Sequence, residues 1–535
     1  MNDSNTQTTV GRFPTFRRLF RWLFSWRTIR RCLFALACLA TLLALFYAEE
    51  NWRGRRAWNK YRQELETRGE QLDYRTFIPK PVADEQNFAA TPLVKSWFLR
   101  ENFGGARIDA DDFGRASLKI SDSRDRDWSH RQLVDLVAWK MAIAAIRSGE
   151  TNRGQQFFTT NKLDLEARAA AAPAVLEGLK SVETDLAELR DASRRPYSRY
   201  PVVYDLENPW GILLPHFSRI KAACPRLKLR ACAGLAAGRS ENAFDDVKLL
   251  LHLTDSVKDE PFLVSYLLRI ACLEIAIQPI WEGLAQHRWS DAQLQELQSR
   301  LLQYNFVADV ERPLEGERAA GVLTAELLYR NKYRVNDLFG PPDPTGGVSV
   351  DLVSRIAPRG WYHQEQLNYC RLYENQLKGA FDAVRKRVFP AEIAAPAHEL
   401  EREIAGGRLG KTVKAVLHHQ LMAAMLLPAL HKITLKAATA QTTADQAALA
   451  CALERYRLAH GQFPERLAAL APRFVDNIPN DVISGEPLKY HRTGNGQFVL
   501  YSVGWNEKDD GGTPGKTQFD EAQGDWVWRS SPVAE

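Results

Sequence analysis

"ALERYRLAHGQFPERLAALAP", residues 452–472, is a helix, a stop and a turn in one stretch, and the C-terminal part of the chain is read outward from it. Leu449, Leu453 and Tyr456, with Ala452 and Ala459 beside them, recur at helical spacing and make one apolar face. Gly461 ends the helix, because glycine reaches the left-handed conformation that closes one, and Pro464 lies just beyond. Phe463-Pro464 turns the chain into a short second helix. Upstream, the same helix is expected to begin near Thr412, with Pro428 kinking it close to its start. The ten-residue apolar run "LMAAMLLPAL" there is too short for a membrane span. Downstream, "EPLKYHR" and "GQFVLYSVG" read as strands joined by Thr493-Gly494-Asn495-Gly496, a hairpin signal. "GDWVWRS" adds a third strand, with Trp526 and Trp528 on one face. A helix packed on such a sheet would bury Tyr456, Phe498, Leu500 and Trp528.

This layout resembles the major pseudopilin of type II secretion systems over roughly residues 412–529. The likeness rests on "YRLAHGQFPERLAAL", on the "IPNDVISGEPLKY" loop and on "LYSVGWNEKDDGG". The chain departs from the family in two places. It has no prepilin cleavage motif followed by a glutamate, and Asn480-Asp481-Val482-Ile483 stand where the family has a Trp-Gly turn. The resemblance implies a pilin-like fold for the tail. It also implies a calcium site in the acidic loop, for which Asp509, Asp510, Asp520 and Asp525 would supply the oxygens that Ca²⁺ takes.

At 535 residues the chain is long for one domain, and its apolar and charged fractions are those of a folded protein. Seven of its 71 basic residues, all arginine, and one of its 65 acidic residues fall in positions 1–31, so the remainder is neutral. A nucleic-acid binder would carry its excess on the folded part, so no nucleic-acid partner is expected. Next comes "CLFALACLATLLALFYA", Cys32–Ala48, an uncharged run that would span roughly 25 Å as a helix. Arginines precede it and Glu49-Glu50 follow, which places the N-terminus in the cytoplasm and the bulk across the inner membrane, periplasmic or extracytoplasmic. Phe46 suits no signal-peptidase site after Ala48, so the segment reads as an uncleaved single-pass anchor. Phe13, Phe16, Phe20, Leu23 and Phe24 recur among the arginines at a spacing that suits an interfacial helix, the alternative being an unstructured basic tail.

Between anchor and tail the pattern is helical. "WSHRQLVDL" and "WSDAQLQEL" each suggest a capping box, Ser129 with Gln132 and Ser290 with Gln293. Ala243, Val247, Leu250, Thr254 and Val257 form a one-sided stripe. Ile270, Ile277, Trp281 and Leu284 mark the next helix, with Pro279 inside it. The Gly238–Ala243 join between small-residue helices looks similar to tetratricopeptide-type hairpins, without a regular period. The expected class is α+β, mostly α. Its parts are a basic segment (1–31), a transmembrane anchor (32–48), a polar helix and extended linker (49–127), a helical repeat-like bundle (128–330), a mixed connection containing "LFGPPDPTGGVSVD" (331–411) and the pseudopilin-like domain (412–535).

Motif chemistry is sparse. "HELER" at His398 lacks the second histidine of a zinc protease, and His418, His419 and His431 have no carboxylate at ligand spacing. The seven cysteines include no CxxC pair. Glu311, Glu315 and Glu317 could pair carboxylates but also suit a solvated helix face. The expectation is therefore a membrane-bound protein that acts on envelope proteins by contact, without catalysis and with calcium as its one candidate cofactor. The alternative is an envelope hydrolase built from dispersed residues.

Overall fold

The computed structural model describes residues 26–99, 120–121, 128–148, 157–158, 164–330, 357–377, 379–393, 430–517 and 519–532. The phenylalanine-arginine segment before Trp26, "LFGPPDPTGGVSVD", His398, His418, His419, "LMAAMLLPAL" up to its last leucine, and Pro428 lie outside the described residues, as does the expected helix start at Thr412. The fold is mostly helical, with small sheets and an N-terminal apolar helix. Besides a five-residue helical turn at Pro92–Ser96, the α-helices among the described residues are α1 (Trp26–Thr67), α2 (Leu136–Arg147), α3 (Leu165–Gly178), α4 (Glu183–Ala192), α5 (His216–Ala236), α6 (Ser240–Asp255), α7 (Leu263–Ala285), α8 (Asp291–Leu302), α9 (Phe306–Asp309), α10 (Glu311–Tyr329), α11 (Arg359–Leu377) and α12 (Leu430–His460). Two-residue strands pair as β1 (Ile120–Ser121) with β2 (Phe157–Phe158) and β3 (Phe381–Asp382) with β4 (Arg387–Val388). The C-terminal sheet is β5 (Lys489–Arg492), β6 (Phe498–Ser502) and β7 (Trp526–Arg529), antiparallel in that order.

Among the described residues, two helices are long and apolar enough to cross a membrane. The apolar window of α1 is wholly exposed, whereas most of α7 is buried in the body, so α7 is a core helix. The sequence expected an anchor followed by a separate polar helix. Instead α1 runs unbroken for 42 residues, about 63 Å at 1.5 Å per residue. No proline or glycine cap interrupts it, and Gly54 passes through the helix interior because a close neighbour needs the space.

The α6 stripe is as the spacing predicts: Ala243, Val247, Leu250, Thr254 and Val257 are all buried. The two W-S motifs part company. Ser290 and Gln293 close a full capping box on α8. Ser129 lies inside a 3-10 turn, Trp128–His130, and α2 begins only at Leu136, with Asp135 accepting from the Ala138 N–H. The cause is tertiary. Gln278 and Glu282 of α7 reach into the 128–134 segment, accepting from the Trp128 and Val134 N–H groups, and the Gln278 amide donates to the Gln132 carbonyl. Those bonds hold the segment as that single turn followed by non-helical chain up to α2. Arg168 then pairs with Glu282 beneath it, so the buried charge is matched.

The hairpin forms at the predicted turn, with the Thr493 N–H on the Gln497 carbonyl and Gly496 at φ 78°. Phe498, Leu500 and Trp528 are buried against α12 and the bundle; Tyr456 is half-buried, stacked on His460 at 4.0 Å. The expectation of a single apolar face on α12 falls short. Every residue from 437 to 454 is buried, polar ones included, because the helix lies between the sheet and α7, α8 and α9. Alanines at 437, 438, 440, 444, 447, 448, 450 and 452 let neighbours close in on all sides. One continuous core consequently runs from Trp58 of α1 to Trp528 of β7.

Candidate functional site

Three places concentrate chemistry, and the first is the root of α1. Glu50, Gly54, Trp58, Tyr61 and Leu65 form its buried stripe, and the helix lies along α11. A Cβ on Gly54 would sit 2.1 Å from the Gly360 carbonyl oxygen, and one on Gly360 would sit 2.0 Å from that of Glu50. Only glycine fits at either position. The Asn51 side chain accepts from the Gly360 N–H at 2.7 Å, and Glu50 accepts from the Trp361 indole at 3.1 Å and from Arg53. Further along, Arg68 pairs with Glu374, and Arg318 with Glu70. The N-terminal helix α1 and the body are thus joined over several turns by backbone contact and charge.

The second is the acidic loop. Asp525 is fully buried and turns both oxygens inward, accepting from the Asp510 N–H at 3.1 Å and the Gly512 N–H at 2.6 Å. Burial, with Asp509 and Asp510 adding their charge, holds its carboxyl above the usual carboxylate range, against those two N–H groups. Asp510 accepts from the Gly524 N–H and from Asn506. Asp509 accepts from the Tyr501 hydroxyl and the Gly511 N–H. Asp520 accepts from the Ala522, Lys516 and Gln523 N–H groups, which lower its pKa. Asp509, Asp510 and Asp525 thus share one end of the loop, while Asp520 closes a turn of its own. Among the described residues, no three His, Cys, Asp or Glu side chains gather as a metal ion would need. The loop covers the outer face of the sheet, with Gly512 set against Val499 and Tyr501.

Asp481, in the preceding loop, figures in the sequence analysis only as part of the Asn480–Ile483 segment, with no role attached. Nearly fully buried, it accepts from the Ile483 and Val503 N–H groups and from the hydroxyls of Ser484 and Ser502. It ties the loop to the end of β6. Asx-type acceptance from the residue two ahead, Ile483, is the one local signal that marks it.

The third is a cleft of about 530 Å³ between the ends of α6, α8 and α9 and the start of α10. Its floor is Arg269, 4% exposed, donating to Asp309 at 2.6 Å and Asp255 at 3.2 Å with its guanidinium 4.6 Å from the Phe306 ring centre. Arg300 also pairs with Asp255. Glu311 and Glu315, one turn apart on α10, line the cleft. Burial, and then the Glu311 charge, hold the Glu315 carboxyl above its ordinary range. Glu317 does not join them. It faces the start of α7, accepting from the Leu263 N–H at 3.2 Å, and burial raises its pKa to about 7. Of the three glutamates, Glu311 and Glu315 thus line the cleft together, while Glu317 caps the start of α7. No protein-family model matches the chain, and no curated protein or solved structure matches it significantly.

Proposed function

We propose that this is a single-pass, membrane-anchored envelope protein whose helical extracytoplasmic body and pseudopilin-like C-terminal part act by protein–protein contact. The role is structural or associated with secretion. The N-terminus is cytoplasmic and the body lies across the inner membrane. One observation carries the reading: α1 passes without a break from a fully exposed apolar stretch into a stripe locked onto α11. An anchor joined by rigid helix, with no flexible linker, suits a part that holds a fixed position relative to the membrane. Cross-linking in intact cells, followed by mass spectrometry and paired with protease treatment of spheroplasts, tests it. The expected result is a body accessible from outside and cross-links to defined envelope proteins. A protected body would overturn the orientation, and cross-links confined to this chain would overturn the contact role.

The cleft favours a second reading, an envelope hydrolase. Two carboxyls one turn apart with one pKa raised can divide acid and base roles. Under this reading Glu315→Gln abolishes hydrolysis of the ester, amide or glycoside substrate that the purified protein turns over. Unchanged turnover in that variant removes the cleft from consideration.

A further inference from the structure

Ala48 ends the apolar run, and Glu50, two residues on, is already buried against the body. The start of α11 is fixed at that level, since Gly360 lies against Glu50, Asn51 and Gly54. Gly54 is about 9 Å along the helix axis from Ala48. The headgroup layer on one side of a bilayer is roughly 5–8 Å deep. The first turn of α11 therefore falls within or at the edge of that layer, with no length of chain left for a stalk.

The side chains at this level suit it. Trp52 is 61% exposed, and Arg56 lies over its ring at 5.2 Å. Arg55 and Arg56 are exposed on α1, and Arg359 is exposed as the first residue of α11, its guanidinium 5.4 Å from the Tyr329 ring centre. Of the two acids at this level, Glu50 is already engaged by Arg53 and Trp361, and the exposed Glu49 is outnumbered by Arg55, Arg56 and Arg359. Guanidinium groups bind phosphate oxygens in pairs, and a tryptophan ring prefers the polar–apolar boundary.

We propose that this end of the body is a lipid-binding surface: it rests on the membrane with the first turn of α11 in the headgroup layer, and Arg55, Arg56 and Arg359 hold anionic phospholipid. The proposal rests on the anchor reading and adds to it that the body lies on the bilayer. Nitroxide labels test it on the full chain in nanodiscs, with Cys32 and Cys38 replaced by alanine. A label at Leu42→Cys reports the anchor, one at Arg359→Cys reports the proposed surface, and one at the exposed Val384→Cys reports bulk water. The Arg359→Cys label is expected to be several-fold less accessible to a water-soluble nickel chelate than the Val384→Cys label. Equal accessibility, with the Leu42→Cys label in hydrocarbon, overturns the surface and leaves the anchor intact; a water-exposed Leu42→Cys label overturns both. Spin-labelled phosphatidylglycerol is expected to be immobilised several-fold more than phosphatidylcholine, and the preference is lost in Arg55→Gln/Arg56→Gln/Arg359→Gln. No preference in the unsubstituted protein overturns the lipid assignment.

Discussion

Asp481 and Glu317 show how one buried carboxylate can hold a fold and another can oppose it. Asp481 satisfies two backbone N–H groups and two hydroxyls at the end of β6. Asp481→Ala leaves those donors buried without acceptors, and a loss of about 3–5 kcal/mol is expected, read as a lower thermal midpoint. Glu317 works the other way. Its pKa in the folded protein is raised from 4.5 to about 7. The folded state therefore binds more protons than the unfolded state between those values, and stability falls as pH rises across that window, then levels off. Glu317→Gln keeps an acceptor for the Leu263 N–H and removes the charge. It is expected to be more stable than the parent at pH 8, by on the order of 2–3 kcal/mol at most, with the difference vanishing near pH 4. Equal pH profiles for the two proteins would show that Glu317 is solvated. The thiols give a third test at this scale. Cys224, Cys232, Cys272, Cys370 and Cys451 are buried, and burial pushes the Cys370 thiol up to about 12. Native alkylation at all five is expected to be at least roughly a hundredfold slower than after denaturation.

Among the elements, those with local signals were legible and those made by distant partners were not. The 493–496 turn, the three strands, the α6 stripe and the Ser290 box each carry their cause within a few residues, and each formed where the spacing put it. The Ser129 box failed because its competitors, Gln278 and Glu282, lie 150 and 148 residues from the N–H groups they bind. The full burial of α12 was readable only in part: its alanines announce close packing, but nothing local says from how many sides. Gly54 and Gly360, 306 positions apart in the sequence, were silent until α1 and α11 met. That contact has a direct consequence. Gly54→Val drives a side chain into the Gly360 carbonyl, which cannot yield, and a cost of about 1–3 kcal/mol or more is expected. The readout is trypsin cleavage after Arg53, Arg55 or Arg56, which should accelerate in the variant. An unchanged cleavage rate would mean that α1 is not held along α11.

At the scale of the molecule, the sequence divides the chain into a bundle and a tail, yet the bonds between them are those of an interior. Gln298 donates to the Phe474 carbonyl and Trp281 to that of Arg529. Arg131 donates to the Ser531 and Pro532 carbonyls, and Arg455 pairs with Asp291. Within α12, Gln441 accepts from the Phe306 N–H and donates to the Tyr304 carbonyl, while Gln446 donates to the Trp526 carbonyl. Taking α12 away would strip the covering from α7, α8 and α9 and remove the acceptor of the buried Phe306 N–H, so neither part is expected to be stable without the other. Calorimetry on the detergent-solubilised full chain should then show one transition for bundle and sheet together. The same coupling makes a distant substitution a probe. Trp528→Ala, in the sheet, is expected to lower the melting of α7 and α8, followed by hydrogen exchange, as much as that of β6. Two resolved transitions, or a sheet variant that leaves α7 and α8 protected to the same degree, would mean that the tail is a module folded on its own and docked on the bundle.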